Sequence, residues 1–180
     1  MDRIILRDMI EADILDYVRW FTEETEWMDF DAPWEECGST PDEELKSWTE
    51  YYEAVKDLPK DVIRRKFEIE SNGRHIGWVS RYTDLDYIEN PDDVPAVGID
   101  IPVVEARGGA GTEALRLFIS YLKDNGFTRV YTQTWSGNTR MLRVAEKLGF
   151  TEYARDTELR TVRGEKYDAV TLVLDLTKES

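Results

Sequence analysis

The sequence predicts an α/β domain with a mixed, mostly antiparallel sheet and helices on both faces. Three observations predict it. Strand-like and helix-like segments alternate between residues 97 and 150. Two dipeptides, Asn72-Gly73 and Arg163-Gly164, separate strand-like runs where tight hairpin turns belong. The first sixty residues carry two amphipathic helical patterns. At 180 residues the chain fits one domain, long enough to bury roughly two-thirds of the surface its unfolded form exposes.

In order along the chain, Ile4-Ile5-Leu6 reads as a first strand. A helix over Glu11–Glu24 follows, with Ile14, Leu15, Val18 and Phe21 inward. Residues Trp27 to Glu36 form an aromatic and acidic segment. The next helix opens on Thr40 as cap, with Pro41 at its first position and Glu43 closing a capping box. Leu45, Trp48, Tyr52 and Val55 make its apolar face. Val62–Ser71 and Arg74–Tyr82 are strands around the Asn72-Gly73 turn, and residues 83–95 read as an acidic loop. The lone His75 falls in the second strand, where a structural or exposed histidine is the default reading ahead of a chemical one.

The centre of the chain is a strand (Val97–Val103), a glycine-rich turn (residues 106–112), a helix, a strand (Arg129–Thr134) and a second helix. Leu115, Phe118, Ile119 and Leu122 give the first helix one buried stripe, and Asp124-Asn125-Gly126 stops it. Met141, Val144, Ala145 and Leu148 do the same in the second, which Gly149 ends. Thr151–Arg160 and Lys166–Leu174 read as a closing hairpin.

Gly108, Gly109 and Gly111 stand directly before a strong helix. Glycines there let backbone N–H groups approach an anion where the helix already carries a partial positive charge, so the ligand indicated is a phosphate. A P-loop needs a lysine after the glycines, and none follows. Gly109, Gly111 and Ala114 satisfy a dinucleotide fingerprint, but the strand about twenty residues on, Arg129 to Thr134, has no carboxylate for a ribose. The third reading is the pyrophosphate of coenzyme A.

These residues resemble the GNAT N-acetyltransferases, more narrowly their RimJ/RimL-like branch. The resemblance rests on Gly98-Ile99-Asp100-Ile101, on Gly108 through Leu115, on Asn138 through Phe150, and on Asn72 through Trp78 as the central hairpin. It implies a sheet of six to seven strands and a single acetyltransferase domain over residues 1–180. Within it, 1–60 would form the acceptor side, 61–160 the acetyl-CoA core and 161–180 the closing strand. It also implies acetyl-CoA as co-substrate without a metal. Main-chain groups of Gly108, Gly109, Ala110, Gly111 and Thr112 would hold the diphosphate. Ile101 and Val103 would pair with the pantetheine arm, with a strand-end N–H there for the oxyanion. Asn138 would hydrogen-bond the same arm or serve as a plain N-cap. Arg107, Arg140 and Arg143 would relieve the charge of the coenzyme or remain solvated surface charges.

Asp100 is the first candidate for base or ammonium anchor. A carboxylate inside an apolar strand needs compensation, and some aminoglycoside 6′-N-acetyltransferases place an acid at the matching position; an edge carboxylate facing water is the other reading. Two departures from the family pattern bear on the chemistry. Ala145 stands where many members carry the tyrosine that protonates the leaving thiolate, and Ala106 replaces the usual Gln/Arg that starts the glycine motif.

Net charge is −15, from 38 acidic and 23 basic side chains, which argues against a nucleic-acid partner. Residues 1–60 hold 18 of the acids and only 6 of the bases. Trp27, Asp31 and Trp34 lie in that acidic part and are the candidate acceptor-binding residues, through charge and cation–π contact; the tryptophans also suit a core or wall. No apolar run approaches a membrane span. One cysteine, Cys37, suits a reducing cytoplasm. The expectation is therefore a cytoplasmic N-acetyltransferase acting on a primary amine of a cationic small molecule, aminoglycoside-like or polyamine-like. A basic peptide or ribosomal-protein N-terminus is the other acceptor, and Ala145 leaves a non-catalytic acyl-CoA-binding module open. A homodimer is the oligomer considered.

Overall fold

The computed structural model describes residues 3–35, 38–103 and 108–177, so Cys37, Ala106 and Arg107 lie outside the described residues. Seven strands form one sheet: β1 (Ile4–Arg7), β2 (Lys66–Ser71), β3 (Arg74–Tyr82), β4 (Ala96–Asp100), β5 (Arg129–Trp135), β6 (Thr151–Val162) and β7 (Glu165–Asp175). Their order is β1-β2-β3-β4-β5-β7-β6, antiparallel throughout except between β4 and β5. Helices α1 (Asp13–Thr22), α2 (Met28–Asp31), α3 (Pro41–Val55), α4 (Ala110–Asp124) and α5 (Thr139–Lys147) complete it. No helix among the described residues is long and apolar enough to cross a membrane.

Both hairpin turns form as their dipeptides require. Asn72 and Gly73 have φ of 51° and 81°, and Arg163 and Gly164 have 52° and 85°, the paired positive φ values that match strand twist. The register then sorts side chains by face. Glu68, Trp78 and Asp100 are cross-strand neighbours and share one face of the sheet. Phe67, Val79 and Ile99 share the other, where Phe67 meets Phe118 of α4 edge-on. The first face receives α1 and α3, through Tyr17 and Trp48. Thr40 and Glu43 make the expected reciprocal capping box of α3.

Some boundaries differ from the sequence reading. Helix α1 is shorter than Glu11–Glu24, and its inward face is Asp13, Ile14, Tyr17 and Trp20, while Leu15 is 67% exposed. Hydrophobic periodicity missed this because the helix buries a polar network along with its apolar side chains. Leu45 is exposed as well: α3 buries no residue fully and rests on the body through Trp48, Tyr51, Tyr52 and Val55. Strand β2 begins at Lys66 rather than Val62. Strand β4 ends at Asp100 rather than Val103, where its ladder with β3 ends.

Candidate active site

Strands β4 and β5 pair at a single position, Ala96 with Tyr131, after which they part. The Tyr131 N–H donates to Pro95 O at 2.9 Å, and the Thr132 hydroxyl donates to Val97 O at 2.9 Å. Beyond these bonds a cleft of about 660 Å³ opens. Gly98 to Ile101 form one wall and Thr132 to Thr134 the other. Ser80 and Tyr82 of β3, and Trp27, Phe30 and Asp31, close one end. The opening turn of α4 and one side of α5 line the opposite end.

The end closed by Trp27, Phe30 and Asp31 is acidic and aromatic. Asp100 faces the cleft, and neither it nor Asp31 has a hydrogen-bond or ion-pair partner among the described residues. Dehydration pushes the Asp100 carboxyl well above its ordinary value, and Asp31 adds to the rise while Lys66 opposes it. Burial also raises Asp31, with help from Glu35. Gly98 lies between Asp100 and Ala96 along β4, and a Cβ there would sit 3.7 Å from Ser80 Oγ and 3.9 Å from Tyr82 Cε1. Gly98 thus puts no side chain between Asp100 and the Tyr82 ring on this face.

The opposite end suits an anion. Gly109 caps α4 in the left-handed region, φ 108°, and no side chain caps that helix. Its first N–H groups are therefore free to bind a ligand. Gly109, Gly111 and Thr112 line the cleft there, facing Arg140, Arg143 and Lys147 of α5. The Arg140 guanidinium lies 3.9 Å from the centre of the Phe30 ring, which ties the cationic end to the aromatic one.

Behind the acidic end, on the same face of the sheet, the carboxylates are paired. Arg7 donates to both Asp13 oxygens, at 2.7 and 2.8 Å, and to Glu70 at 2.9 Å. His75 bridges Asp16 Oδ2 and Glu68 Oε2, each at 3.0 Å, and its pKa is pushed up to about 9 because these hydrogen bonds outweigh burial. The Tyr17 hydroxyl donates to the same Glu68 oxygen at 2.5 Å. Lys66 Nζ sits 3.7 Å from Glu68 Oε1 inside four rings: Tyr17, Trp48, Tyr51 and Trp78, with centres 4.0, 4.3, 5.1 and 5.2 Å away. Burial draws this ammonium down to about 8. Donor atoms of Asp13, Asp16 and His75 lie within 4.8 Å of one another, close enough for a metal, but Arg7 and protonated His75 already match their charge.

The structure brings Asp100, Ile101, Gly109, Gly111, Thr112, Asn138, Arg143, Trp27 and Asp31 to the cleft. Asn138 caps α5 with its amide oxygen, accepting from Met141 N at 3.0 Å, while lining the cleft. Ala110 packs against the core as the first residue of α4, and Gly108 is exposed outside the lining. Val103 is 3% exposed inside the core and is not part of the cleft lining. Trp34 stands beside the cleft, edge-on to Trp135 at 6.0 Å with the Arg160 guanidinium 4.2 Å over its ring. His75 is structural and buried. Ala145 is fully buried, pointing away from the lining formed by its neighbours Val144 and Lys147. Sequence reading missed Phe30, Tyr82, Lys147 and the Lys66 cage. A lysine in a strand beside Phe67 was the only available signal for the last.

Residues 3–151 match the family described as an acetyltransferase (GNAT) domain. Comparison with curated proteins finds no match. Among solved structures, a GNAT-family acetyltransferase from Bacillus anthracis superposes with a TM-score of 0.72 at 15% identity, covering 99% of this chain and 100% of that one. The Salmonella typhimurium protein yncA, solved with its cofactor acetyl-CoA, gives 0.65 at 18%, with 99% and 96% covered. A ribosomal-protein-alanine N-acetyltransferase from Brucella melitensis gives 0.67 at 16%, with 95% and 99% covered. At these identities the likeness is one of fold.

Proposed function

The chain belongs to the GNAT acetyltransferase family, and we propose that it moves an acetyl group from acetyl-CoA to a primary amine of a small, multiply cationic molecule, polyamine-like or aminoglycoside-like. The observation that carries the acceptor is the pair Asp31 and Asp100, two carboxylates without partners among the described residues, facing one aromatic-walled cleft. Two like charges in a dehydrated site repel and raise each other's pKa. A substrate with two or more ammonium groups removes that repulsion, and the Trp27 and Phe30 rings add cation–π contact.

Acetyl-CoA fits the other end by the chemistry of its donors. The uncapped N-terminus of α4 and the cations Arg140, Arg143 and Lys147 suit the diphosphate. The edge of β4 left free where β5 departs suits the amide-bearing arm. A fold relative solved with acetyl-CoA supports the same co-substrate. When bound, this group supplies the activated acyl carbon. Asp100 takes the proton that an ammonium must lose before it can attack, and its raised pKa brings its basicity nearer to neutral pH. The motifs from Gly98 to Phe150 favour the RimJ/RimL-like branch, and the single cysteine fits a cytoplasmic enzyme.

The test is release of free CoA from acetyl-CoA against spermidine, an aminoglycoside and a basic peptide. Turnover is expected on the first two. Turnover on the peptide alone would replace the small cation with a protein N-terminus, and binding of acetyl-CoA without turnover on any amine would favour a non-catalytic module.

A further inference from the structure

Acyl transfer ends with a thiolate that must gain a proton, and α5 presents no hydroxyl to the cleft lining. The α5 side chains in the cleft are Arg140, Met141, Arg143, Val144 and Lys147, and Ala145 is buried elsewhere. Hydroxyls do line the cleft on the sheet. Thr132 is committed to Val97 O. Ser80, Thr112 and Thr134 carry alkanol hydroxyls, which are far weaker acids than a phenol. Tyr82 carries the one phenol in the lining.

Its placement is specific. Tyr82 pairs with Ala96, Ser80 with Gly98, and Trp78 with Asp100, so Tyr82 and Asp100 stand on the same face at opposite ends of the Gly98 floor. Successive same-face residues of a strand are roughly 7 Å apart, and Gly98 contributes no side chain between the two. The Tyr82 ring passes over Gly98 towards the Gln133 backbone of β5, across the point where the strands part. A group reacting above Gly98 is thus flanked by a carboxylate on one side and a phenol on the other.

We propose that Tyr82 is the catalytic acid of the acyl transfer, giving its proton to the sulfur as the carbon–sulfur bond breaks. This rests on the proposed amine acetylation. The acceptor ammonium passes a proton to the Asp100 carboxylate, and the amine nitrogen forms its bond to the acyl carbon. That carbon then releases sulfur, which takes the Tyr82 proton to leave as a thiol. The tyrosinate recovers a proton from the Asp100 carboxyl, and the nitrogen, now bonded to the acyl carbon, gives up its second proton to water, so ammonium and thioester become amide and thiol with one proton released. Burial, with Asp31 and Asp86 nearby, pushes Tyr82 up to about 12, which keeps the phenol protonated at every working pH.

The experiment compares wild type and Tyr82→Phe on spermidine with two donors: acetyl-CoA and the acetyl thioester of a more acidic thiol. Phenylalanine keeps the ring over Gly98, so a purely structural role would leave turnover unchanged. The account expects kcat with acetyl-CoA to fall by about 10²-fold at unchanged melting temperature, and the deficit to shrink with the better leaving group. An unchanged kcat, or an equal deficit with both donors, overturns the role of Tyr82 while the acceptor reading stands. No turnover by wild type on any amine overturns both.

Discussion

The same face of the sheet holds two groups of carboxylates in opposite states. Asp13, Asp16 and Glu68 sit among cations: Arg7, His75, Lys66 and Arg19. Asp31 and Asp100, in the cleft beside them, have none bonded to them among the described residues. Asp13 and Glu68 are almost fully buried, whereas Asp100 is half-buried and Asp31 exposed, so burial alone does not mark a functional acid. What separates them is compensation. The paired carboxylates hold elements together through their cations; the unpaired Asp31 and Asp100 have their carboxyls pushed above the ordinary value and are free to meet a ligand in the cleft.

The largest effect expected from this contrast is on folding. Removing Glu68 leaves both Lys66 and His75 short of a counter-ion in the interior, which costs about 3–5 kcal/mol. Glu68→Ala should lower the thermal midpoint sharply, and a shift of under a degree would mean the network contributes nothing to stability. Asp100→Asn should do the reverse. It removes an unpaired charge, so the melting temperature should hold or rise while kcat falls by about 10²-fold or more. Full activity in that variant would erase the distinction between the two groups.

A subtler break is geometric. At Gly77, opposite the end of β4, a Cβ would meet the Asp100 carbonyl oxygen and lie 2.9 Å from Ile101 Cα. Gly77→Ala must shift the backbone that carries Asp100 and should reduce kcat by about tenfold or more, since small misplacements near the chemistry cost heavily. Wild-type kinetics in this variant would argue that the position of Asp100 is not critical.

The smallest effect concerns pH. His75 has a folded pKa of about 9 against an ordinary 6.5. Its stabilisation is complete below pH 6.5 and is lost as pH rises towards 9, because the folded state holds the extra proton in that window. Lys66 acts with the opposite sign: its folded pKa of about 8 lies below the ordinary 10.5, so stability gains from its titration as pH rises between those values. The region from 6.5 to 8 therefore belongs to His75. A fall of a few degrees in melting temperature is expected there for wild type, and a flatter profile for His75→Gln.

How much of this was legible in sequence follows the range of each interaction. The two hairpins, the α3 capping box and the stripes of α4 and α5 are local, and each was readable from a few adjacent residues. Asp100 was readable because a carboxylate stands out in an apolar strand. The charge network was not: Glu68 meets Tyr17 across 51 positions, and His75 meets Asp16 across 59. Leu15 was placed inward for the same reason, since the face of α1 is chosen by Tyr17 and Asp13 reaching these distant partners. Tyr82 escaped notice because its meaning lies in the glycine opposite its neighbour on β4.

The most direct test of the central claim is the pH dependence of kcat/KM for spermidine acetylation, measured in wild type and divided by that of Asp100→Asn to remove the ionisation of the acceptor. The account predicts an acid limb well above the ordinary aspartate range near pH 4, where the unpaired Asp100 takes up its proton. A ratio whose acid limb lies in the ordinary aspartate range, or that shows no acid limb at all, would contradict it.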